Sequence, residues 1–264
     1  MSESNLVLEV KNISKSFHGL AGSKIVVLDE VNLKIDFGNN YGRIGTILSP
    51  SKSGKSTLLK IISAIEMPTS GEILLNGNKY SSPDGSIAVI PEKASSFPWL
   101  NVKQNVEFGL KIKNYLPEIL RKKREELISI VGLEGYEDHF PHEKDSGFRF
   151  RISLARALAV EPKLILLDNP FHNLGKETKI DLYELIESVK KQLKVNFILA
   201  TTNVHEAILL SDKIFLMKKN PARIIHEIQI DELTKNNLGA DKYSSLISEI
   251  DKSFGKHEEF FNLS

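Results

Sequence analysis

Nine consecutive residues, Ser49-Pro50-Ser51-Lys52-Ser53-Gly54-Lys55-Ser56-Thr57, carry the plainest chemistry in this sequence. They follow an apolar run, Ile44 to Leu48, and open a helical one that reads on to Ile65. A loop between strand and helix that closes on Gly-Lys-Ser presents backbone N–H groups and a positive helix end to phosphate oxygens. In that pattern Lys55 reaches the β- and γ-phosphates and the Ser56 hydroxyl holds a Mg²⁺. Ser51, Ser53, Gly54 and Thr57 complete the loop positions that would touch a nucleotide. The glycine that ordinarily opens the pattern is Ser49, which brings a side chain to a turn that favours none. The plain alternative is a lysine-rich surface turn.

Two further groups belong to the same chemistry. Leu164 to Leu167 is wholly apolar and ends in Asp168, more than a hundred residues after Lys55. A carboxylate at that strand end would hold Mg²⁺ by way of water or Ser56. On its own, Asp168 is a candidate helix cap. Phe17 is a candidate platform for adenine, because an aromatic face beside a nucleotide loop stacks on a base. A lone aromatic is more commonly ordinary core.

The elements that must position these groups follow from periodicity. Residues 6–17 alternate as a strand, and Lys24 to Ile35 is a second β-rich run with Leu28, Val31, Leu33 and Ile35 facing a core. Glu72 to Leu75 closes on Asn76-Gly77, a tight-turn pair, and Ile87 to Ile90 reads as a buried strand. From about Lys93 the pattern turns helical. Pro117 to Leu133 contains an amphipathic segment with Arg121-Lys122-Lys123-Arg124-Glu125-Glu126 on one face and Leu120, Leu127, Ile130 and Val131 on the other. Helices are also expected over 148–160 and 179–194, a buried strand over Phe197 to Thr201, and an alternating run over 222–228 before an amphipathic tail. Buried strands alternating with helices predict an α/β fold with a mainly parallel sheet.

Composition narrows the classes. At 264 residues the chain has room for one large domain carrying an inserted lobe. With 35 basic against 34 acidic residues and a net charge of +1, it shows no footprint of a nucleic-acid binder. Without cysteine, neither disulfides nor thiolate metal sites are available, which suits the cytosol. The polar, acidic start predicts no secretory signal, and the apolar runs are strand-sized, so no direct membrane insertion is expected.

At this point the sequence resembles a family, the ATP-binding cassette (ABC) transporter ATPases, and within it the nitrate, sulfonate and taurine importer branch. Five stretches carry the resemblance: the phosphate loop; Phe97-Pro98-Trp99-Leu100-Asn101-Val102; Phe140-Pro141-His142; Arg151 to Ala159; and Pro162-Lys163 through Asp168. They stand in order, with family spacing, across roughly residues 5 to 230, and Pro221-Ala222-Arg223-Ile224 is similar to that branch as well. The resemblance implies a P-loop NTPase (RecA-like) core with an antiparallel β subdomain and a helical subdomain over roughly 93–160. It implies a single ABC domain over 1–264, with a tail over roughly 231–264. It also implies ATP and Mg²⁺ as cofactors, with ATP sandwiched between one protomer's phosphate loop and the other's signature motif. Permease transmembrane subunits would be the partners, and the location cytoplasmic, peripheral at the inner face of the cell membrane.

The departures from the family pattern fall on catalytic positions. Asn169 stands in place of the glutamate that serves as general base, Thr202 in place of the switch histidine, and Glu92 in place of the loop glutamine. The family's Leu-Ser-Gly-Gly-Gln signature reads Lys144-Asp145-Ser146-Gly147-Phe148, and the aspartate closing the loop after the catalytic strand is Gly175. Asp145 and Gly147 therefore occupy positions that in the family face the partner's γ-phosphate. His205, three residues beyond Thr202, is expected to face elsewhere. Losing a general base typically costs about 10²–10⁴ in rate. These substitutions predict an ATP-binding subunit that hydrolyses poorly or not at all and acts structurally or as a regulator. An ordinary motor subunit for a small anion or sulfonate is the alternative, with Glu92 or a partner supplying the chemistry; a soluble scaffold without nucleotide is the third. Either a homodimer or a heterodimer with a second ABC ATPase subunit fits.

Overall fold

A computed structural model describes residues 5–18, 23–38, 42–93, 95–230 and 239–255 of the chain. The chain divides into two units, Met1–Pro83 with Phe197–Ser264, and Asp84–Asn196.

In the first unit, β1 (Val7–His18) pairs antiparallel with β2 (Lys24–Asp36) and with β4 (Ser70–Leu75), which pairs with β5 (Asn78–Lys79). The alternation of β1 and β2 sets Leu8, Val10, Ile13, Leu28, Val31, Leu33 and Ile35 inward, all buried as the pattern requires. Asn76 and Gly77 both take positive φ, 53° and 77°, the geometry a two-residue hairpin needs. A second set of strands surrounds β3 (Ile44–Leu48), which runs parallel to β8 (Asn196–Thr201) and to β9 (Lys213–Lys218); β10 (Arg223–Gln229) closes the edge antiparallel to β9. Every residue of β3 and β8 is buried, which is why both read as unbroken runs. Helix α1 (Lys55–Ile62) follows β3, and α6 (Val204–Leu210) follows β8. The C-terminal helix α7 (Ala240–Phe254) adds Ile250 to a core shared with Leu48, Val204 and Ile208.

The second unit holds the parallel pair β6 (Ile87–Ile90) and β7 (Leu164–Asp168), with helices α2 (Val102–Ile112), α3 (Pro117–Ile130), α4 (Ser146–Leu158) and α5 (Lys176–Leu193). The helices of the expected lobe begin at Val102 in this unit; the described residues among 91–101 hold no helix or strand. Four helix boundaries differ from the sequence expectation for local reasons. Helix α1 stops at Ile62 because Ala64 turns to φ 57°, leaving Ile65 exposed. Helix α3 ends at Ile130, before Gly132 at φ 67°. Helix α4 starts two residues early because Asp145 caps it, and α5 begins at Lys176 directly after Gly175. No helix among the described residues is long and apolar enough to cross a membrane.

Candidate functional site

The phosphate loop is built by the end of β3 and the start of α1. Its sharp turns fall at Lys52, φ 57°, and Gly54, φ 99°. Gly54 is required twice over: a Cβ there would be strained by φ and would press on Leu28 Cδ2 and Val27 Cγ1 at 3.0 Å. Ser49 is not among the positive-φ residues, so the missing opening glycine does not distort the turn. Its N–H donates to the Thr201 carbonyl at 3.2 Å, while its hydroxyl is buried without a partner among the described residues. The expectation of a turn cost at Ser49 is therefore corrected: the burden is an unsatisfied hydroxyl, not backbone strain.

Lys55 is buried, and its Nζ donates to the carbonyls of Ser49 and Pro50, both at 2.8 Å, with Ser53 Oγ at 3.5 Å. The lysine thus folds over the loop that it closes, so the plain surface-turn reading fails. Ser51 and Ser56 are exposed, Thr57 half-buried and Ser53 buried. Helix α1 has no side-chain cap and no acidic residue in its first turn. Its first N–H groups thus lack a side-chain acceptor at the positive end of the helix dipole, a ready anion site.

Beside the loop in the same unit, Thr202 follows β8 and is half-buried. The neighbouring side chains are committed: Thr201 Oγ1 donates to Glu206 Oε2 at 2.6 Å and accepts from the Asn203 N–H at 3.0 Å, while Asn203 caps α6 by accepting from the Glu206 N–H. His205 faces away, stacked on Tyr243 of α7 with centroids 5.5 Å apart and hydrogen-bonded to its hydroxyl. The buried Glu206 went unnoticed in the sequence, although Asn203-x-x-Glu206 is the spacing of a helix-capping pair. Phe17 is 39% exposed, with Lys15 Nζ 5.0 Å from its ring centre, so the ordinary-core reading does not hold.

The second unit carries the other candidates. Asp168 ends β7 buried, with Oδ1 lacking a hydrogen-bond partner among the described residues. A desolvated carboxylate oxygen left unsatisfied is the donor a divalent cation or its water would complete, so the residue fits Mg²⁺. Asn169 follows in the left-handed region, φ 43°, its carbonyl accepting from the His172 N–H at 3.1 Å. Glu92 and His172 approach at 3.9 Å, each about half exposed.

Asp145 caps α4 by accepting from the Phe148 N–H at 2.8 Å. Arg149 donates to the Lys144 carbonyl and to Ser146 Oγ, and the Lys144 ammonium lies 5.3 Å from the Tyr136 ring centre. At Gly147 a Cβ would meet Thr178 Cγ2 at 2.6 Å, so this glycine is demanded by packing against α5.

The ABC transporter family profile matches residues 25–172, more than half of the chain. The chain belongs to the ABC transporter ATP-binding subunits. It is 32% identical over 234 residues to the nitrate import ATP-binding protein NrtD of Synechocystis sp., covering 87% of this chain and 86% of that one. It is also 32% identical over 260 residues to the taurine import ATP-binding protein TauB of Roseobacter denitrificans, covering 97% and 93%. The dimeric structure of MJ0796, a bacterial ABC transporter cassette, matches with a TM-score of 0.73 at 27% identity, over 85% of this chain and 99% of that one. The fold is accordingly the P-loop NTPase of ABC cassettes, and ATP with Mg²⁺ is this ABC subunit's cofactor.

Proposed function

We propose that this ABC subunit binds Mg-ATP and hydrolyses it poorly or not at all, serving a structural or regulatory role in a membrane importer complex. One observation carries the reading. The phosphate loop keeps its lysine, its turn and its uncapped helix end, while the positions of base and switch hold Asn169 and Thr202. Lys55 and the loop N–H groups hold the phosphates, and Phe17 supplies a base platform. Ser56 and Asp168 would each offer an oxygen to Mg²⁺, which when bound would neutralise phosphate charge. Asn169 orients a water but takes no proton from it, and Thr202 provides a hydroxyl where an imidazole would act.

The second reading, an ordinary motor, draws on the Glu92–His172 approach, which brings a carboxylate and an imidazole together in one unit. The names of its relatives point to a small anion or sulfonate as transported solute. Permease subunits are the membrane partners, met by the Phe97–Leu100 segment, and the subunit sits at the cytoplasmic face of the membrane as one ABC domain. It pairs with itself or with a second ABC ATPase subunit.

The experiment is Mg-ATP affinity with single-turnover hydrolysis on the purified chain and on Lys55→Ala. Tight binding abolished by Lys55→Ala, with no turnover, is expected. Turnover at about 1 s⁻¹ or above, an ordinary enzyme rate, would refute the proposal in favour of the motor.

A further inference from the structure

Residues 95–101 form a rigid aromatic platform. Asn105 of α2, fully buried, sets its two amide N–H donors among the carbonyls of Phe97, Leu100 and Asn101, with Nδ2 at 3.1, 2.8 and 3.0 Å from them, and its Oδ1 accepts from the Phe97 N–H at 2.8 Å. Phe97 stacks with Trp99 at 5.3 Å and meets Phe108 edge-on at 4.9 Å; Trp99 is 69% exposed. The loop is thereby welded to α2.

Helix α2 is in turn seated on α4. A Cβ at Gly109 would fall 2.7 Å from Ala159 Cβ and 2.9 Å from the Arg156 carbonyl, so the two helices touch backbone to backbone there. From the same turn of α4, Arg156 reaches back over the platform. Its guanidinium carbon stands 4.3 Å from the Phe97 ring centre and one NH₂ donates to Ser95 Oγ at 3.1 Å. The other nitrogen is buried with no hydrogen-bond partner among the described residues. Burial pushes this guanidinium below its ordinary pKa, and no carboxylate is among the causes of its shift.

A half-buried cation with one buried donor unsatisfied is costly to keep for packing alone. Here it closes a circuit: loop to α2 through Asn105, α2 to α4 through Gly109, and α4 to loop through Arg156. The far end of α4 is the Asp145 cap.

We infer that Arg156 is a positioning residue, tying the C-terminal end of α4 to the aromatic platform so that a displacement of the helix from its Asp145-capped end carries to the platform, and the reverse. The inference rests on the reading of this chain as an ATP-binding subunit whose 97–100 segment meets a permease. It does not follow from that reading, since the segment could dock a partner without any tie to α4.

Trp99 is the single tryptophan of the chain, so its acrylamide quenching reports the platform directly. Two perturbations act on the signature end in the full-length chain: addition of Mg-ATP, and Asp145→Ala, which removes the cap without nucleotide. Each is expected to change Trp99 quenching. In Arg156→Met, which keeps length and loses the donors, both responses are lost while Mg-ATP affinity is retained. Arg156→Lys restores part of them, because an ammonium covers Phe97 without the planar fork that also reaches Ser95.

A purely structural arginine would lower the melting temperature and leave both responses intact. Retention of either response in Arg156→Met overturns the inference, as does a wild-type chain that binds ATP with no change at Trp99. A chain that binds no ATP refutes the functional reading, and the Asp145→Ala arm still decides the tie. Should Arg156→Met not fold, a full-sized response in Arg156→Lys overturns it.

Discussion

Asp145→Asn removes a charge from the tip of α4 and keeps a cap there. The carboxylate accepts from the Phe148 N–H at 2.8 Å, and asparagine serves equally well as an N-cap. What is lost is the attraction between a negative charge and the helix dipole, about 0.3–1 kcal/mol. The variant should therefore melt at most about 2–4 °C lower.

The gain lies in pairing. Under the proposed function, the residue at position 145 would face the partner's γ-phosphate in an ATP sandwich. Two unit charges about 4 Å apart repel by on the order of 4 kcal/mol at an effective dielectric of about 20. Asp145 is exposed, and mobile ions act over roughly 8 Å at physiological salt, so about half of that is a fair expectation. Lys144 offers little relief, since its ammonium is turned to the Tyr136 ring. A pair of identical chains has two such sites, so about 4 kcal/mol would be relieved in all, roughly a thousandfold tighter ATP-dependent association. Sedimentation velocity across protein concentration, with and without a non-hydrolysable ATP analogue and Mg²⁺, measures it. The difference should shrink as salt is raised. If Asp145→Asn pairs with the analogue no better than about threefold above the wild type at low salt, the repulsion argument is refuted.

Asn169→Glu should raise single-turnover hydrolysis by less than the roughly 10²–10⁴ of a restored base, because Thr202 and Asp145 remain; a gain at the upper end would show that the base alone was missing. The same variant should lose about 1 kcal/mol of stability, since φ is 43° at this position and asparagine tolerates the left-handed region better than glutamate. Gly109→Ala should cost about 1–3 kcal/mol by overpacking against Ala159 Cβ and the Arg156 carbonyl, read from a urea midpoint, and an unchanged midpoint would show that α2 and α4 are not tightly seated. Hydrogen bonds from Lys123 and Tyr115 hold the Glu161 carboxyl below its ordinary value of 4.5. Its stabilising contribution is thus complete above that value and is lost as pH falls through the lower folded-state pKa. Melting curves at descending pH should show a steeper acid loss for the wild type than for Glu161→Gln, and parallel curves would exclude the pair.

Much of the fold was legible because its strongest signals are local. Strands β3, β7 and β8 are buried on both faces and therefore read as uninterrupted apolar runs. Asn76-Gly77 announces its own turn. Helix starts were read late where caps, rather than apolar residues, set them: Asp145 begins α4 ahead of Phe148, and Gly175 begins α5 on the polar Lys176-Glu177-Thr178. For the candidate site, spacing singled out Lys55 and Asp168, both of which are buried. It did not reveal that Ser49 escapes positive φ, because conformation within a loop depends on which neighbours turn, here Lys52 and Gly54. Arg156 was hidden for another reason. Its partner Ser95 lies 61 positions away, and only the packing of α2 on α4 brings the two together.

Retaining a phosphate loop without the groups that cleave the phosphate is physically coherent under the proposed function. A ligand present at about a thousandfold excess over its dissociation constant stabilises the state it binds by roughly 4 kcal/mol, with no chemistry at all. ATP that is not consumed is then a permanent structural element of the complex rather than a fuel. Asp145 adds a selection on the partner. In a pair of identical chains both sandwich sites set this carboxylate against a γ-phosphate, whereas with an intact cassette only one does. The mixed pair therefore escapes one of two repulsions. It leaves this chain's loop facing an intact signature, which holds ATP, without a base to cleave it. The partner's loop keeps its base but faces Asp145. Such a pair closes on one side and stays weak on the other, an arrangement suited to a subunit that sets the state of its complex rather than driving it.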